Sequence, residues 1–265
     1  MVNKIKLFVN ENPKAIEIAE KVKDEFTKKG FTITEDEFDL GIAIGGDGSF
    51  LRMVNENNFD SDVYYVGINA GTLGFMQEVK PDSINELIDE LVEEKYIIDK
   101  IGIQETIIKT DDKEENFYNL NEILVRDENF RVINVDVNIE NDLLEKYTGD
   151  ALLIATSYGS TAHNLSYGGS IVYPNFSTLQ ITSVGPVNSK AYRTLPNSII
   201  VPSNKEIKLI PNTKHKDYIV TVDGKNKVYN NVQEISTTIK DKCINVLRFS
   251  HYNFPQKINE KLLSN

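Results

Sequence analysis

Three glycines surround one carboxylate in IAIGGDGSF, residues 42–50, at the end of an apolar run. Gly45, Gly46 and Gly48 would let the backbone approach a phosphate closely. The helix pattern that follows adds unpaired amides and the positive end of a helix dipole. Asp47 could then take a proton from an attacking hydroxyl or hold a magnesium ion. A strand–helix turn with a solvated aspartate is equally compatible with these four residues alone.

A second segment, TGDALLIATSYGSTAHNLSYGGSIVYP (residues 148–174), is crowded with hydroxyls and glycines. Such a run supplies many hydrogen-bond donors and exposed backbone, which suits a ribose or a phosphate. The same composition also marks turn-rich surface loops. The length and compactness of the segment favour a binding site.

A third candidate is the pair Asn121 and Glu122 in the strand-like segment NLNEIL, residues 119–124. Adjacent strand residues point to opposite faces, so two polar neighbours indicate that the strand ends or bulges there. A carboxylate is a natural acceptor for the two hydroxyls of a ribose. The pair alone does not identify a ligand.

These candidates lie in an acidic chain of 265 residues with a net charge of −11, long enough for one large or two modest domains. The charge makes a nucleic-acid partner unexpected. Cys243 is the only cysteine, which excludes an internal disulfide and predicts a reducing, cytoplasmic location. Lysines interrupt the N-terminal apolar run, and no stretch approaches the ~18 apolar residues of a membrane span. The sequence therefore predicts neither a signal peptide nor a membrane partner.

Strand and helix patterns alternate over residues 1–98, which predicts an α/β domain with a parallel sheet carrying the glycine loop. Helices are predicted at residues 13–29, 49–57 and 81–95, the second with Ser49 as its N-cap. Over residues 99–265 the runs become short and β-rich, which predicts a β-sandwich-like domain that binds the substrate. One helix-like piece interrupts that domain near residues 159–167. The C-terminal tail is expected to pack back on the first domain.

Taken together and in order, five segments resemble the NAD kinase family: GGDGSF, GINAGTLGF, NLNEILV, TGDALLIATSYGSTAHNLSYGGSIVYP and AYRTLPNSIIVP. GGDGSF alone also resembles phosphofructokinases and diacylglycerol or sphingosine kinases. The Asn–Glu pair followed by G-D, G-S-T-A and S-x-G-G is more specific to NAD kinases. The resemblance covers nearly the whole chain.

The resemblance implies that the terminal phosphate of ATP, or of polyphosphate in some members, is transferred to the adenosine 2′-hydroxyl of NAD. The product is NADP. A divalent metal, magnesium, and a homodimer or homotetramer are also implied. The family fold is an N-terminal α/β domain followed by a C-terminal β-sandwich-like domain.

The resemblance also implies roles for individual residues. Asp47 looks like the base for the 2′-hydroxyl, within the phosphate loop formed by Gly45, Gly46 and Gly48. Asn121 and Glu122 look like contacts to the nicotinamide ribose. The other implied NAD contacts are Asp150 at the nicotinamide amide, Thr161, Ala162 and Ser166 at the adenine end, Gly185 near a subunit interface, and Thr148, Tyr158 and His163.

The chain departs from the family at the adenine end. The usual T-P-[ST]-G-S-T-A-Y is replaced by TSYGSTAH, residues 156–163, so a proline and a tyrosine are absent. Thr148 stands where relatives often carry a basic residue. His163 is expected to stack on the adenine, with Tyr158 as a second wall of the pocket.

Other functions fit the sequence less well. A lipid kinase would want an apolar acyl cleft or a basic membrane-facing patch, and a chain with a net charge of −11 and no lysine cluster argues against it. A nucleotide sensor without catalysis would not need Asp47 in an intact GGDG. A phosphofructokinase-type enzyme is disfavoured because the first strand ends in VNENP, with no glycine loop for ATP. Neither the dinucleotide fingerprint G-x-G-x-x-G nor the G-x-x-x-x-G-K-[ST] loop is present, which excludes those two classes. His215 and His251, with Cys243, suggest no metal site.

Overall fold

The computed structural model describes residues 2–71 and 74–264, and the chain divides into two compact units. The first unit runs to Ile101 and resumes at Cys243, whereas the second comprises Gly102–Lys242. Residues from 243 onwards, which the sequence places in the second domain as a tail packed back on the first, are thus part of the first unit. Thr72 and Leu73 of the GINAGTLGF segment lie outside the described residues.

The first unit is α/β, as predicted. Its elements up to residue 101 are β1 (Lys4–Val9), α1 (Pro13–Lys28), β2 (Thr32–Ile33), β3 (Leu40–Gly45), α2 (Asp47–Glu56), β4 (Tyr64–Asn69), a 3₁₀ turn (Pro81–Ser83) and α3 (Ile84–Glu93). The strands pair in parallel in the order β2-β1-β3-β4. Helix α1 buries an apolar stripe at helical spacing, which includes Ile18, Val22 and Phe26. Because successive strands are parallel, their carboxyl ends meet at one edge, and the glycine loop leaves β3 at that edge.

The glycine loop passes into its helix earlier than predicted. Helix α2 begins at Asp47 with Gly46 as its N-cap, so the prediction of Ser49 as the cap is wrong. Ser49 is buried inside the first turn, where its hydroxyl accepts a hydrogen bond from Asn10 Nδ2 at 3.3 Å. Asp47 therefore occupies the first helical position, close to the unpaired amides of the helix start.

The second unit is strand-rich, as predicted. Its elements are β5 (Ile97–Thr110, from Gly102 onwards in this unit), β6 (Glu114–Asn119), β7 (Glu122–Asp127), β8 (Ile133–Ile139), β9 (Asp142–Thr156), a 3₁₀ turn (Gly159–Thr161), α4 (His163–Ser166), β10 (Thr178–Pro186), β11 (Ile199–Pro202), β12 (Ile207–Pro211), β13 (Tyr218–Val222) and β14 (Lys225–Tyr229). Strand β9 pairs antiparallel with β7, β8 and β10, which places it at the centre of the unit. The 3₁₀ turn and α4 form the helix-like piece expected near residues 159–167.

The chain then returns to the first unit through β15 (Val232–Arg248), α5 (Phe254–Ile258) and a π-helical turn (Asn259–Leu263). Asn245 and Val246 pair in parallel with the first residues of β4, so the end of β15 extends the first sheet. Leu247 and Phe249 join the apolar core of that unit. No helix in the described ranges has the length and apolar character needed to cross a bilayer.

Candidate functional site

The carboxylate of Asp47 is held in place by backbone. One oxygen accepts a hydrogen bond from the N–H of Phe75 at 2.9 Å, and the other from the N–H of Met76 at 3.0 Å. An ionised carboxylate offers about four acceptor positions, so the described part of the chain leaves about two for other partners. Asp47 is thus oriented and still able to accept a proton.

The loop that supplies these amides packs closely against the glycine loop. A Cβ on Gly74 would lie 1.9 Å from Asp47 Oδ1, so only glycine allows the backbone to come this near. Gln77 Nε2 donates to the carbonyl oxygen of Gly46 at 2.7 Å. The segment after β4 therefore fixes both the carboxylate and the phosphate loop.

A lysine that the sequence analysis missed belongs to the same unit. Lys257 on α5 is only 9% exposed, and its Nζ lies 3.1 Å from Glu78 Oε2. Burial, followed by the charge of Arg248, lowers the pKa of Lys257 to about 8, while Glu78 and Asp47 oppose that shift. Asp47 thus lies within electrostatic reach of a buried lysine. Nothing in the local sequence FPQKI marks this lysine, because its burial comes from the return of the chain end.

In the second unit, Asn121 and Glu122 lie where one strand ends and the next begins. Strand β6 ends at Asn119 and β7 starts at Glu122, which confirms the expected strand end. Both side chains are only 7% exposed, yet Asn121 Oδ1 and Glu122 Oε2 have no hydrogen-bond partner among the described residues. A buried polar atom without a partner is costly, so these two atoms are candidates for bonding a ligand.

The carboxyl of Glu122 binds its proton unusually tightly. Burial, followed by the nearby charge of Asp223, raises its pKa to about 8, against a hydrogen bond from the backbone N–H of His163. Most of the Glu122 carboxyl is therefore protonated at pH 7 before a ligand arrives. Strongly perturbed carboxyls of this kind are concentrated at functional sites.

The hydroxyl-rich segment packs directly on the Asn121–Glu122 turn. The N–H of Thr156 donates to Asn121 O at 2.8 Å, and its hydroxyl donates to Leu120 O at 2.5 Å. The N–H of Gly159 donates to the same hydroxyl at 3.0 Å. A Cβ on Gly159 would lie 2.0 Å from Asn121 O, so the contact depends on glycine. The structure thus brings together two of the three segments that the sequence singled out.

The residues predicted at the adenine end follow this contact. Tyr158, Thr161 and Ala162 are half-buried, while His163 and Ser166 are exposed. The ring of His163 lies against that of Tyr167, with centroids 5.0 Å apart. Tyr167 is an exposed aromatic that the sequence analysis did not single out.

Asp150 and Gly185 do not join the Asn121–Glu122 pair within one chain. They face each other across the β9–β10 pairing, while Glu122 pairs with Ala155. Asp150 lies five residues before Ala155 on β9, about 17 Å along the strand, and an odd separation places it on the opposite face.

Thr148 lies beside basic side chains. Its hydroxyl donates to Asn134 Oδ1 at 2.8 Å, which satisfies it internally. It also lines a cavity of about 620 Å³ together with Lys146, Lys190 and Arg193. These three cations, which the sequence analysis missed, supply positive charge next to the position where relatives often carry a basic residue.

The described residues contain no group of three or more His, Cys, Asp or Glu side chains arranged to hold a metal ion. In the first unit, Asp47 is the carboxylate that adjoins the glycine loop. A carboxylate beside bound phosphates is the protein ligand that Mg²⁺ most often uses, and Asp47 retains free acceptor positions for it.

Comparisons with known proteins cover the whole chain. The family model described as the ATP-NAD kinase N-terminal domain matches residues 1–96, and the ATP-NAD kinase C-terminal domain matches residues 120–242. The chain is 40% identical to an NAD kinase of Finegoldia magna, over 98% of this chain and 97% of that protein. It is 28% identical to NAD kinase 1 of Halalkalibacterium halodurans, over 93% of each.

Two solved structures share the fold. Yeast NADH kinase complexed with NADH has a TM-score of 0.84 and 20% identity, covering 100% of this chain and 88% of that chain. An NAD kinase from Archaeoglobus fulgidus in complex with ATP has a TM-score of 0.77 and 18% identity, covering 98% and 99%.

Proposed function

The chain belongs to the NAD kinase family, as its motifs predicted, and from this membership we infer that it is a kinase that converts NAD to NADP with ATP as the phosphate donor. The observation that supports NAD binding is the Asn121–Glu122 pair. Both residues are buried, and each has one side-chain oxygen that finds no hydrogen-bond partner in residues 2–71 and 74–264. Hydroxyl groups of a ribose would satisfy both oxygens, which supports the role of this pair at the nicotinamide ribose.

We propose that Asp47 is the catalytic base. As the adenosine 2′-oxygen bonds to the γ-phosphorus of ATP, its proton passes to a free oxygen of Asp47. The bond from the γ-phosphorus to the β,γ-bridging oxygen breaks, and ADP leaves. The amides of Phe75 and Met76 keep the carboxylate oriented, which is the structural support for this role.

The glycine loop and the start of α2 suit the donor phosphates. Gly45, Gly46 and Gly48 offer close backbone approach, and Gln77 fixes the loop through Gly46. We assign Mg²⁺ to the donor phosphates. Metal binding by Asp47 itself is the competing role for this carboxylate, because Mg²⁺ usually binds through one or two carboxylates plus substrate phosphates. The metal would neutralise phosphate charge during transfer. Polyphosphate remains an alternative donor to be tested.

The adenine end is assigned to Thr161, Ala162, His163 and Ser166. His163 is exposed and already contacts Tyr167, so an adenine could stack on one or both rings. Tyr158, which is half-buried in the same segment, would form a second wall of the adenine pocket. Thr148 would contribute through the basic cavity beside it.

We further propose a homodimer, or a tetramer built from it, in which a second copy completes the NAD site. Glu122 and Asp150 are both assigned to the nicotinamide end, but they lie on opposite faces and about 17 Å apart along the strands. One nicotinamide riboside cannot span that distance within a single chain. Asp150 and Gly185 of one copy would therefore contact NAD bound at Glu122 of the other.

Complementation tests this arrangement. Glu122→Ala and Asp150→Ala homo-oligomers should each be nearly inactive, whereas subunit exchange between them should restore part of the activity, because some sites then receive both native residues. Light scattering should show a dimer or tetramer. A monomeric active protein, or no restoration after confirmed exchange, would contradict the proposal. A cytoplasmic location, favoured by the single cysteine, is testable by cell fractionation.

The central experiment is turnover. Purified protein is incubated with NAD, Mg²⁺ and ATP, and NADP is measured with a dehydrogenase specific for it. Polyphosphate replaces ATP in a parallel reaction. NADP formation is expected with ATP. Binding of NAD without NADP formation from either donor would indicate a sensor instead.

A further inference from the structure

A carboxylate outside all of the predicted site residues holds the backbone of the Asn121–Glu122 turn. Asp223 Oδ2 accepts the N–H of Leu120 at 2.9 Å, and its Oδ1 accepts the N–H groups of Asn121 at 2.9 Å and Glu122 at 3.3 Å. The N–H of Asp223 donates to Glu122 O at 3.2 Å. Three consecutive amides therefore converge on one side chain.

The position of this carboxylate is itself fixed. Asp223 and Gly224 form the two-residue turn of the β13–β14 hairpin, since Val222 pairs with Lys225. Both turn residues have positive φ, 44° and 81°, as a type I′ turn requires, and Asp-Gly is a favoured pair for it. Strand β13 also pairs with β7, so the hairpin delivers its turn to the start of β7.

The two buried carboxyls of Asp223 and Glu122 differ in their hydrogen bonds. Burial raises the pKa of both Glu122 and Asp223. Asp223 accepts three backbone N–H groups and lies near Lys225, whereas Glu122 accepts one, from His163 at the start of α4. Hydrogen bonds to an ionised group favour that form. The three backbone amides therefore favour ionisation at Asp223 over ionisation at Glu122, whose pKa is about 8.

We propose that Asp223 is a positioning residue for NAD binding: it holds the three backbone amides of residues 120–122 so that the buried oxygens of Asn121 and Glu122 face the ligand. The nearby charge of Asp223 also raises the pKa of Glu122. This inference rests on the proposed NAD site. Thr156 donates to the carbonyl oxygens of the same turn, with its hydroxyl fixed by the N–H of Gly159, whereas Asp223 accepts the N–H groups of the turn.

The test compares Asp223→Asn with Asp217→Asn. Asp217 lies at the other end of the same hairpin, where its carboxylate accepts one backbone N–H, from Asn231 at 3.1 Å. NAD dissociation constants are measured by calorimetry from pH 6.5 to 9, and amide hydrogen exchange is measured for residues 120–122. Near-ultraviolet circular dichroism checks that both variants fold.

In the unmodified protein, NAD affinity should rise as the pH passes about 8, because the ionised Glu122 accepts ribose hydroxyls better. At pH 9, where Glu122 is ionised in every variant, Asp223→Asn should bind NAD about tenfold more weakly, since hydrogen bonds to a charged acceptor are lost. The pH midpoint of NAD binding by Asp223→Asn should move below 8. The amide hydrogens of residues 120–122 should exchange faster than in the unmodified protein. Asp217→Asn should match the unmodified protein in all three measurements.

An Asp223→Asn protein that binds NAD normally at pH 9, or keeps the original midpoint, would overturn the positioning role. General loosening of the fold would speed amide exchange throughout the second unit and not only at residues 120–122, so exchange measured over the whole unit separates positioning from a general loss of stability. If Asp223→Asn does not fold, Asp223→Ser, which keeps one acceptor oxygen, is measured against the same expectations. Failure of the unmodified protein to bind NAD would instead overturn the proposed function.

Discussion

The carboxylate of Asp47 has about four hydrogen-bond acceptor positions. Two accept the backbone N–H groups of Phe75 and Met76, and within the described residues about two remain for substrate. Asp47→Asn keeps the size of the side chain but removes its basicity. Turnover should fall by about 10²–10⁴-fold, because a positioned general base contributes that much. The NAD dissociation constant should change little. Saturation kinetics and an NAD titration measure the two effects separately.

The matched control for this change is Asp39→Asn. The Asp39 carboxylate also accepts two backbone N–H groups in the same unit, from Asn3 and Lys4, each at 2.8 Å. Loss of such contacts alone should leave turnover near normal. Equal losses of turnover in Asp47→Asn and Asp39→Asn would show that the Asp47 carboxylate serves only to hold the backbone of Phe75 and Met76. Partial recovery of Asp47→Asn in excess magnesium would point to metal binding instead of base catalysis.

Glu122 is expected to reduce stability near neutral pH. Its pKa of about 8 lies above the ordinary value of 4.5, so the folded state binds the proton more tightly than the unfolded state. The free energy of unfolding therefore falls as pH rises through the window from 4.5 to 8. Glu122→Gln removes this penalty and should be more stable than the unmodified protein by at least about 1 kcal/mol at pH 8. The difference should vanish below pH 4.5, and NAD binding should weaken.

Urea unfolding at pH 4 and pH 8 measures this difference. The control is Glu114→Gln, at an exposed position of the same unit, where no comparable gain at pH 8 is expected. A Glu122→Gln protein that gains no stability between the two pH values would show that the carboxyl is not held protonated. A gain in stability together with a loss of binding would be the usual trade-off at a functional site.

At the scale of elements, two loops at the carboxyl edge of the first sheet hold each other in place. Gly74 lies against the carboxylate of Asp47, and a side chain there would have to displace it. Gly74→Ala should therefore lower turnover at least about 100-fold, since small misplacements of a catalytic group are costly. Steady-state kinetics checks this loss.

Gly71→Ala, in the same segment, is the matched control because a Cβ at that position meets no atom of the described residues within 4 Å. Its turnover should stay near that of the unmodified protein. Similar losses in the two variants would mean that the loop tolerates no added side chain anywhere, and that contact with Asp47 is not the cause.

What the sequence predicted at this scale depended on local patterns. Asp47 and the Asn121–Glu122 pair were found because their chemistry stands next to a strand end. The alternation of strands and helices predicted the α/β unit because hydrophobic periodicity is local. Ser49 was misplaced as a cap because glycine at position 46 can begin a helix without a side-chain acceptor.

Long-range contacts were not predictable in the same way. Asp223 lies 101 residues from Glu122, and only the pairing of β7 with β13 brings them together. An Asp-Gly pair predicts a hairpin turn, but not which amides its carboxylate will accept. Likewise, the separation of Asp150 from Glu122 follows from strand register, which a single sequence does not specify.

At the scale of the whole molecule, the chain end is tied to the first unit by a buried ionic group. Glu78 lies 3.3 Å from Arg248 Nη1 and 3.1 Å from Lys257 Nζ, and its other oxygen accepts the N–H of Phe249. The side chains of all three charged residues are at most 9% exposed. Arg248 at the end of β15 and Lys257 on α5 are thus both paired with the carboxylate of Glu78.

Glu78→Gln should destabilise the protein by about 3–5 kcal/mol, because it removes the carboxylate that lies 3.1 Å from the buried Lys257 ammonium, while Arg248 keeps Asp99 at 3.5 Å. Lys257 already has its pKa lowered to about 8, and losing Glu78 lowers it further. Lys257 then binds its proton more tightly in the unfolded chain than in the folded variant. The free energy of unfolding of the variant should therefore rise with pH, from a lower value at pH 7 than in the unmodified protein. The stability deficit of Glu78→Gln should therefore shrink between pH 7 and pH 9.

The control is Glu86→Gln. The carboxylate of Glu86 pairs with His251 at 3.6 Å and is 46% exposed. A surface pair of this kind is worth about 1 kcal/mol or less. Urea unfolding at both pH values measures the two variants, and equal stability of Glu78→Gln and Glu86→Gln would show that the buried group does not hold the chain end.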